Sequence, residues 1–196
     1  MTVADQAAPA AEAPPTTGPT AGPTAGPTTG PTAGPTAGPT AGPITGPITG
    51  LTHDQIRQVL PHRWPMLLLD RVGSVVPGVK GTATKNVAGT ELWFQGHFPN
   101  EAVLPGVVVV EAMAQLAGVV YALAGASEIS YLAGIRSMRF RRPIVPGDQV
   151  TLTAERTSGG GGLAEFRVSA RVEGQVAAEG NLTIADPASQ RSVRKV

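Results

Sequence analysis

The stretch WFQGHFPNEAVLPGVVVVEAMAQ, Trp93–Gln115, places one histidine in a loop punctuated by Pro and Gly and one glutamate inside an otherwise apolar run. Histidine titrates near neutral pH, so His97 is a candidate proton acceptor. Burial among Val107–Val110 and Ala112–Ala114 is expected to disfavour the charged form of Glu111 and raise its pKa. A carboxyl kept neutral in this way can donate a proton. Gln115 lies four residues on, on the same helical face, where it can orient that carboxyl. Pro105-Gly106 marks a helix start, whose first N–H groups lack intrahelical partners. Gly106 lets a ligand approach the backbone, and its amide can polarise a carbonyl oxygen. Taken singly, a loop histidine and a buried glutamate both have ordinary structural uses. Together around a Pro-Gly helix start they form a base, an acid and an oxyanion donor. That set suits proton abstraction beside a thioester carbonyl with expulsion of a β-hydroxyl.

These groups must be positioned by the elements around them. The run from Pro105 to about Gly125 is too long for a strand, and its Ala, Met, Leu and Gln content favours a helix. Apolar residues fall on every side of it, so the helix should be enclosed by other structure. Glu111 then lies roughly 7–8 Å along the axis from the helix start, so it and His97 can face one cavity. Upstream, LTHDQIRQVL reads as a short helix with Thr52 as N-cap and Pro61 as its stop. PMLLLDRVGSVV and VKGTATKNV, joined by Pro-Gly, read as two strands. Downstream, IRSMRFRRPIVPGDQVTLTAER supplies two strands around the turn VPGD. In LAEFRVSARV, Ala164, Phe166, Val168, Ala170 and Val172 alternate with polar residues, as in a half-buried antiparallel strand. Glu173-Gly174 is a two-residue turn into the last strand, where Val176, Ala178, Leu182 and Ile184 continue the pattern. About four strands in a meander are expected, with the sheet wrapped around the single apolar helix.

Composition narrows the function classes. From Gly18 to Pro47, Gly-Pro recurs every four residues with no large side chain to bury, so residues 1–50 read as a disordered linker. A collagen-like triple helix needs glycine at every third place and is excluded. Residues 51–186 form the expected domain and 187–196 a short basic tail. All fifteen Lys and Arg lie from Leu51 onward against twelve Asp and Glu, a balance too mild for a general nucleic-acid binder. There is no cysteine, and three histidines make no evident metal cluster. The N-terminal MTVADQAAPAAEAPP lacks the features of a signal peptide, and no apolar run has membrane-spanning length. A soluble, cytoplasmic protein without a membrane or nucleic-acid role is expected.

GHFPNEAVLPGVVVVEAMAQ resembles the active-site segment of the β-hydroxyacyl-(acyl carrier protein) dehydratases of the FabZ type. LPHRWPMLLLDRV is similar to that family's opening segment, and LAGIRSMRFRRPIVPGDQV to its strand-turn-strand signature. The resemblance implies an α+β hot-dog fold, one long helix wrapped by an antiparallel sheet, assembled as a homodimer or a trimer of such dimers. It implies that His97 of one subunit faces Glu111 of the other, that Gly106 is the amide donor, and that Tyr131 gates the acyl tunnel. Ordinary packing at a strand edge is the alternative for Tyr131. The partner it implies is an acidic acyl carrier protein whose phosphopantetheine arm carries the substrate, with no cofactor and no metal. Arg136, Arg139, Arg141 and Arg142 are then candidates for docking that carrier, Arg139 and Arg141 sharing one side of a strand. Ala102 stands where the family usually has proline, which removes a rigid point from the loop. Glutamate rather than aspartate at 111 argues against the related dehydratase/isomerase subclass. A hot-dog acyl thioesterase and a non-catalytic partner subunit of a dehydratase heterodimer are the alternatives, and the presence of both His97 and Glu111 counts against the second.

Overall fold

Ala164, Phe166, Val168, Ala170 and Val172 are all buried, as their alternation requires, and they line the inner face of a curved antiparallel sheet. A computed structural model describes residues 46–127 and 129–188. Its elements in chain order are β1 (Ile48–Leu51), α1 (His53–Val59), β2 (Arg71–Val76), β3 (Lys80–Asn86), a 3-10 turn (Leu92–Gln95), α2 (Gly106–Ala122), β4 (Tyr131–Phe140), β5 (Gln149–Gly160), β6 (Leu163–Val172) and β7 (Gln175–Ala185). The seven strands run in the order β1-β2-β3-β5-β6-β7-β4, every neighbouring pair antiparallel. The α2 helix lies against β3, β5, β6 and β7. This is the helix-in-sheet arrangement of the expected α+β hot-dog fold.

Packing, rather than capping, holds α2. Its N-cap is Pro105, which makes no side-chain cap bond, and a good cap would contribute only about 1 kcal/mol. Val108, Val109, Val110, Met113, Leu116, Val119 and Val120 are all buried, and each such side chain contributes about 1.5–3 kcal/mol. Gly81 on β3 lets the helix come close, since a Cβ there would sit 2.8 Å from Val120 Cγ2. That contact is in the last turn of α2; at the other end the helix has no side-chain cap.

The short helix forms as expected, with a capping box in which Thr52 accepts from Gln55 N and the Gln55 side chain accepts from Thr52 N. The hairpin at Glu173-Gly174 also forms, both residues at positive φ of 51° and 78°. Four expectations change. The β1 strand is built from the end of the repeat, Ile48 pairing with Val75 and Leu51 with Val72, because Leu51 joins the core and draws the preceding residues onto the sheet edge. Residues 1–45 and 189–196 lie outside the described residues. PMLLLD is not strand, since the Leu68 amide donates to the Gln115 side chain at 2.9 Å and Gln115 Nε2 donates to Met66 O at 2.6 Å. A helix side chain thus takes the bonds a neighbouring strand would have made. The meander is limited to β5-β6-β7. The β4 strand crosses to the far side of β7, with Arg141 N bonded to Ala177 O and Ile144 O to Leu104 N along the crossover. Finally, α2 is open along one stripe, where Val107 is 76% exposed and Glu111, one turn on, is half-buried.

Candidate functional site

The loop between β3 and α2 delivers His97 to the mouth of the helix. Its imidazole Nδ1 lies 2.8 Å from Val103 O, and the His97 amide donates to Trp93 O at 2.9 Å. A carbonyl can only accept, so Nδ1 carries a proton, and in the neutral ring Nε2 is the nitrogen that holds the lone pair. The Phe98 ring stacks on the imidazole with centroids 4.0 Å apart. Reciprocal amide bonds between Phe98 and Glu101 close the loop just before Ala102.

A cavity of about 400 Å³ opens beside His97, lined also by Gly106, Val109, Phe140, Arg141 and Arg142. Glycine at 106 lets the Phe140 ring lie close over the helix start. A Cβ would lie 2.9 Å from the Phe140 ring, which covers the helix start. As the first residue of α2, Gly106 offers an N–H with no intrahelical acceptor at the positive end of the helix dipole. The imidazole and a backbone donor therefore border one cavity whose walls are apolar except for Arg141 and Arg142.

Glu111 is not among the residues lining that cavity. Within one chain the structure joins His97 to Gly106 and joins Glu111 to a different set. Gln115 Nε2 donates to Glu111 Oε1 at 2.8 Å, and His62 Nε2 stands 3.3 Å from the same oxygen. The orienting role expected of Gln115 is visible, since the amide spans Glu111, Met66 and Leu68 at once. The expected upward shift of the Glu111 pKa is overturned. Hydrogen bonding from His62 holds the carboxyl below its ordinary value, burial opposes this, and Gln115 adds to the lowering. His62 Nδ1 is buried with no partner among the described residues. His62 was missed in the sequence because it lies 49 positions before Glu111 in a Pro-flanked loop. Its one available signal was a place inside LPHRWPMLLLDRV.

The remaining candidates separate. Arg141 and Arg142 border the His97 cavity. Arg136 is bonded to Glu165 at 3.2 Å, and Arg139 faces a polar hollow on the outer sheet surface with Arg167 and Glu179. Arg141 lies just past the end of β4 and is paired with Glu179, the residue that also stands opposite Arg139, so both arginines lie beside the same carboxylate. Tyr131 is 58% exposed at the opposite end of β4 from Phe140, roughly 30 Å away at strand rise. It does not reach its own chain's cavity. No cluster of three metal-ligating side chains occurs among the described residues, and no described helix is long and apolar enough to cross a membrane.

The FabA-like domain family matches residues 60–181. A 3-hydroxyacyl-[acyl-carrier-protein] dehydratase FabZ from Ruminiclostridium cellulolyticum is 44% identical over 137 residues, covering 69% of this chain and 96% of the relative. The chain belongs to the FabZ-type dehydratases of the FabA-like family. The FabZ of Polynucleobacter asymbioticus is 47% identical over 133 residues, 67% of this chain and 89% of its own. Among solved structures, the dehydratase heterocomplex ApeI:P from Xenorhabdus doucetiae superposes with a TM-score of 0.58 at 21% identity, covering 72% of this chain and 97% of that one. At that identity the likeness speaks for the fold alone. The family match includes His62, His97, Gly106 and Glu111 and leaves the Gly-Pro repeat outside.

Proposed function

We propose that this chain is a hydro-lyase that removes water from a 3-hydroxyacyl thioester on acyl carrier protein, giving the trans-2-enoyl thioester in fatty-acid synthesis. The observation that carries this is His97, its Nδ1–H committed to Val103 O and its Nε2 free beside the uncapped start of α2. Nε2 takes the α-proton. The Gly106 amide stabilises the charge that develops on the thioester oxygen. Glu111, returned to its neutral form by the added desolvation when a second subunit covers the open helix stripe, gives its proton to the departing β-hydroxyl, which leaves as water. The α-proton remains on His97 and is returned through solvent to reset Glu111. The reaction as written calls for no cofactor or metal, the substrate arriving on the carrier's phosphopantetheine.

The site is completed by a second subunit, His97 of one copy meeting Glu111 of the other. Three features support this reading: Glu111 is not among the residues lining the His97 cavity, the Val107–Glu111 stripe is open, and the apolar Leu132, Ile135 and Phe140 are exposed on the edge strand β4. Covering that stripe would increase desolvation, the influence that raises the Glu111 pKa. Tyr131, remote from its own cavity, would contribute to the partner's tunnel. Arg141 and Arg142, at the cavity rim, are the better placed half of the arginine cluster for receiving an acidic carrier in the cytoplasm.

Intact-mass spectrometry of a 3-hydroxyacyl carrier protein incubated with the enzyme tests the activity. Loss of one water from the acyl carrier is expected. Loss of the whole acyl group would make the chain a thioesterase and overturn the reading.

A further inference from the structure

Lys85 occupies the third inward-facing place on β3, after Gly81 and Ala83, and is only 5% exposed. An apolar side chain is the low-cost occupant of such a place, because desolvating an ion pair commonly offsets what the pair's attraction returns. The ammonium instead meets Glu91, with Nζ 3.0 Å from each carboxylate oxygen. Glu91 is saturated further. Its Oε1 accepts from Ala88 N at 3.0 Å and its Oε2 from Trp93 Nε1 at 3.1 Å. The next link runs through the same tryptophan. Trp93 O accepts from Gly96 N at 3.2 Å and from His97 N at 2.9 Å. On its other side His97 is held by Val103, through the ring at Nδ1 and through Val103 N donating to His97 O at 3.3 Å. The backbone of His97 is therefore suspended between Val103 and a tryptophan whose indole is tied to a buried charge.

We propose that Lys85, Glu91 and Trp93 are positioning residues for His97: the buried pair fixes the indole, the tryptophan carbonyl fixes the His97 amide, and together they set where Nε2 points. The inference rests on His97 being the base. None of the three residues touches the reacting atoms. Their effect is on turnover through placement, and an offset of about 1 Å in a catalytic group can cost on the order of 100-fold. The expense of a buried charge is then retained for geometry rather than for stability.

Two variants test this in the full-length protein. Lys85→Met/Glu91→Gln removes both charges together, and Trp93→Phe removes only the indole donor. In each, kcat per folded enzyme should fall about tenfold or more while KM for the 3-hydroxyacyl carrier stays within about twofold. The ¹H–¹⁵N signals of the His97 ring should shift in both. A change in melting temperature with kcat within about twofold and His97 signals unmoved would overturn the proposal, leaving the pair a simple loop staple. The two readings fail separately. A wild type that releases no water overturns the dehydratase assignment, while the His97 ring signals still report whether the network positions the imidazole.

Discussion

Two glutamates lie close together in this sequence and are built in opposite ways. At Glu91 every lone pair is used: a buried lysine spans both oxygens, and a backbone amide and an indole complete the set. At Glu111 both neighbours, His62 and Gln115, fall on Oε1, and Oε2 takes no bond among the described residues. A saturated carboxylate has no capacity left for a substrate. A carboxylate tied through one oxygen is oriented and still has the other to offer. Burial alone would have ranked the two in the wrong order, since Glu91 is the more enclosed and Glu111 is the one on an open helix stripe.

Removing function should separate them most sharply. Glu111→Gln and His97→Ala are each expected to lower kcat by about 10²–10⁴-fold, with melting temperature little changed. Stopped turnover assays beside thermal melts check this, and near-normal turnover in either variant would break the comparison from the Glu111 side. The largest stability effect belongs to the other glutamate. Lys85→Met leaves Glu91 buried without its partner, which should cost about 3–5 kcal/mol in a urea melt. His62→Ala is intermediate. It removes the foremost influence lowering the Glu111 pKa, so the limb of the pH–rate profile governed by Glu111 should move to higher pH.

The smallest effects concern pH and the tail. A carboxyl whose folded pKa lies below its unfolded value contributes stability at higher pH, and this is lost as pH falls through the folded value. Acidification through the carboxylate range should therefore lower the wild-type melting temperature slightly more than that of Glu111→Gln. Deleting residues 1–45 should leave turnover and melting temperature unchanged. Extending the deletion through Leu51 removes β1 and a core side chain, and should destabilise by about 1–3 kcal/mol.

Much of this was legible in the sequence because period and local chemistry determine it. Alternation in Leu163–Val172 fixed which side chains of β6 face inward, and Thr52 announced the start of α1. His97, Gly106 and Gln115 were readable from a single contiguous motif. What escaped was set by contacts distant in sequence. The crossover that sends β4 beyond β7 depends on bonds from Arg141 to Ala177 and from Leu104 to Ile144, and no local pattern encodes either. The direction of the Glu111 pKa shift escaped likewise, because neighbours along the helix report burial whereas the deciding group is His62, from a loop before β2.

The proposal that His97 of one copy acts with Glu111 of another rests on Glu111 not lining the His97 cavity of its own chain. Mixing subunits carrying His97→Ala with subunits carrying Glu111→Gln, after reversible dissociation, tests it directly. If each site takes one residue from each copy, half of the randomly reassorted dimers contain one intact site, and activity should recover to about a quarter of wild type. Mixtures no more active than the two inactive parents would contradict the account.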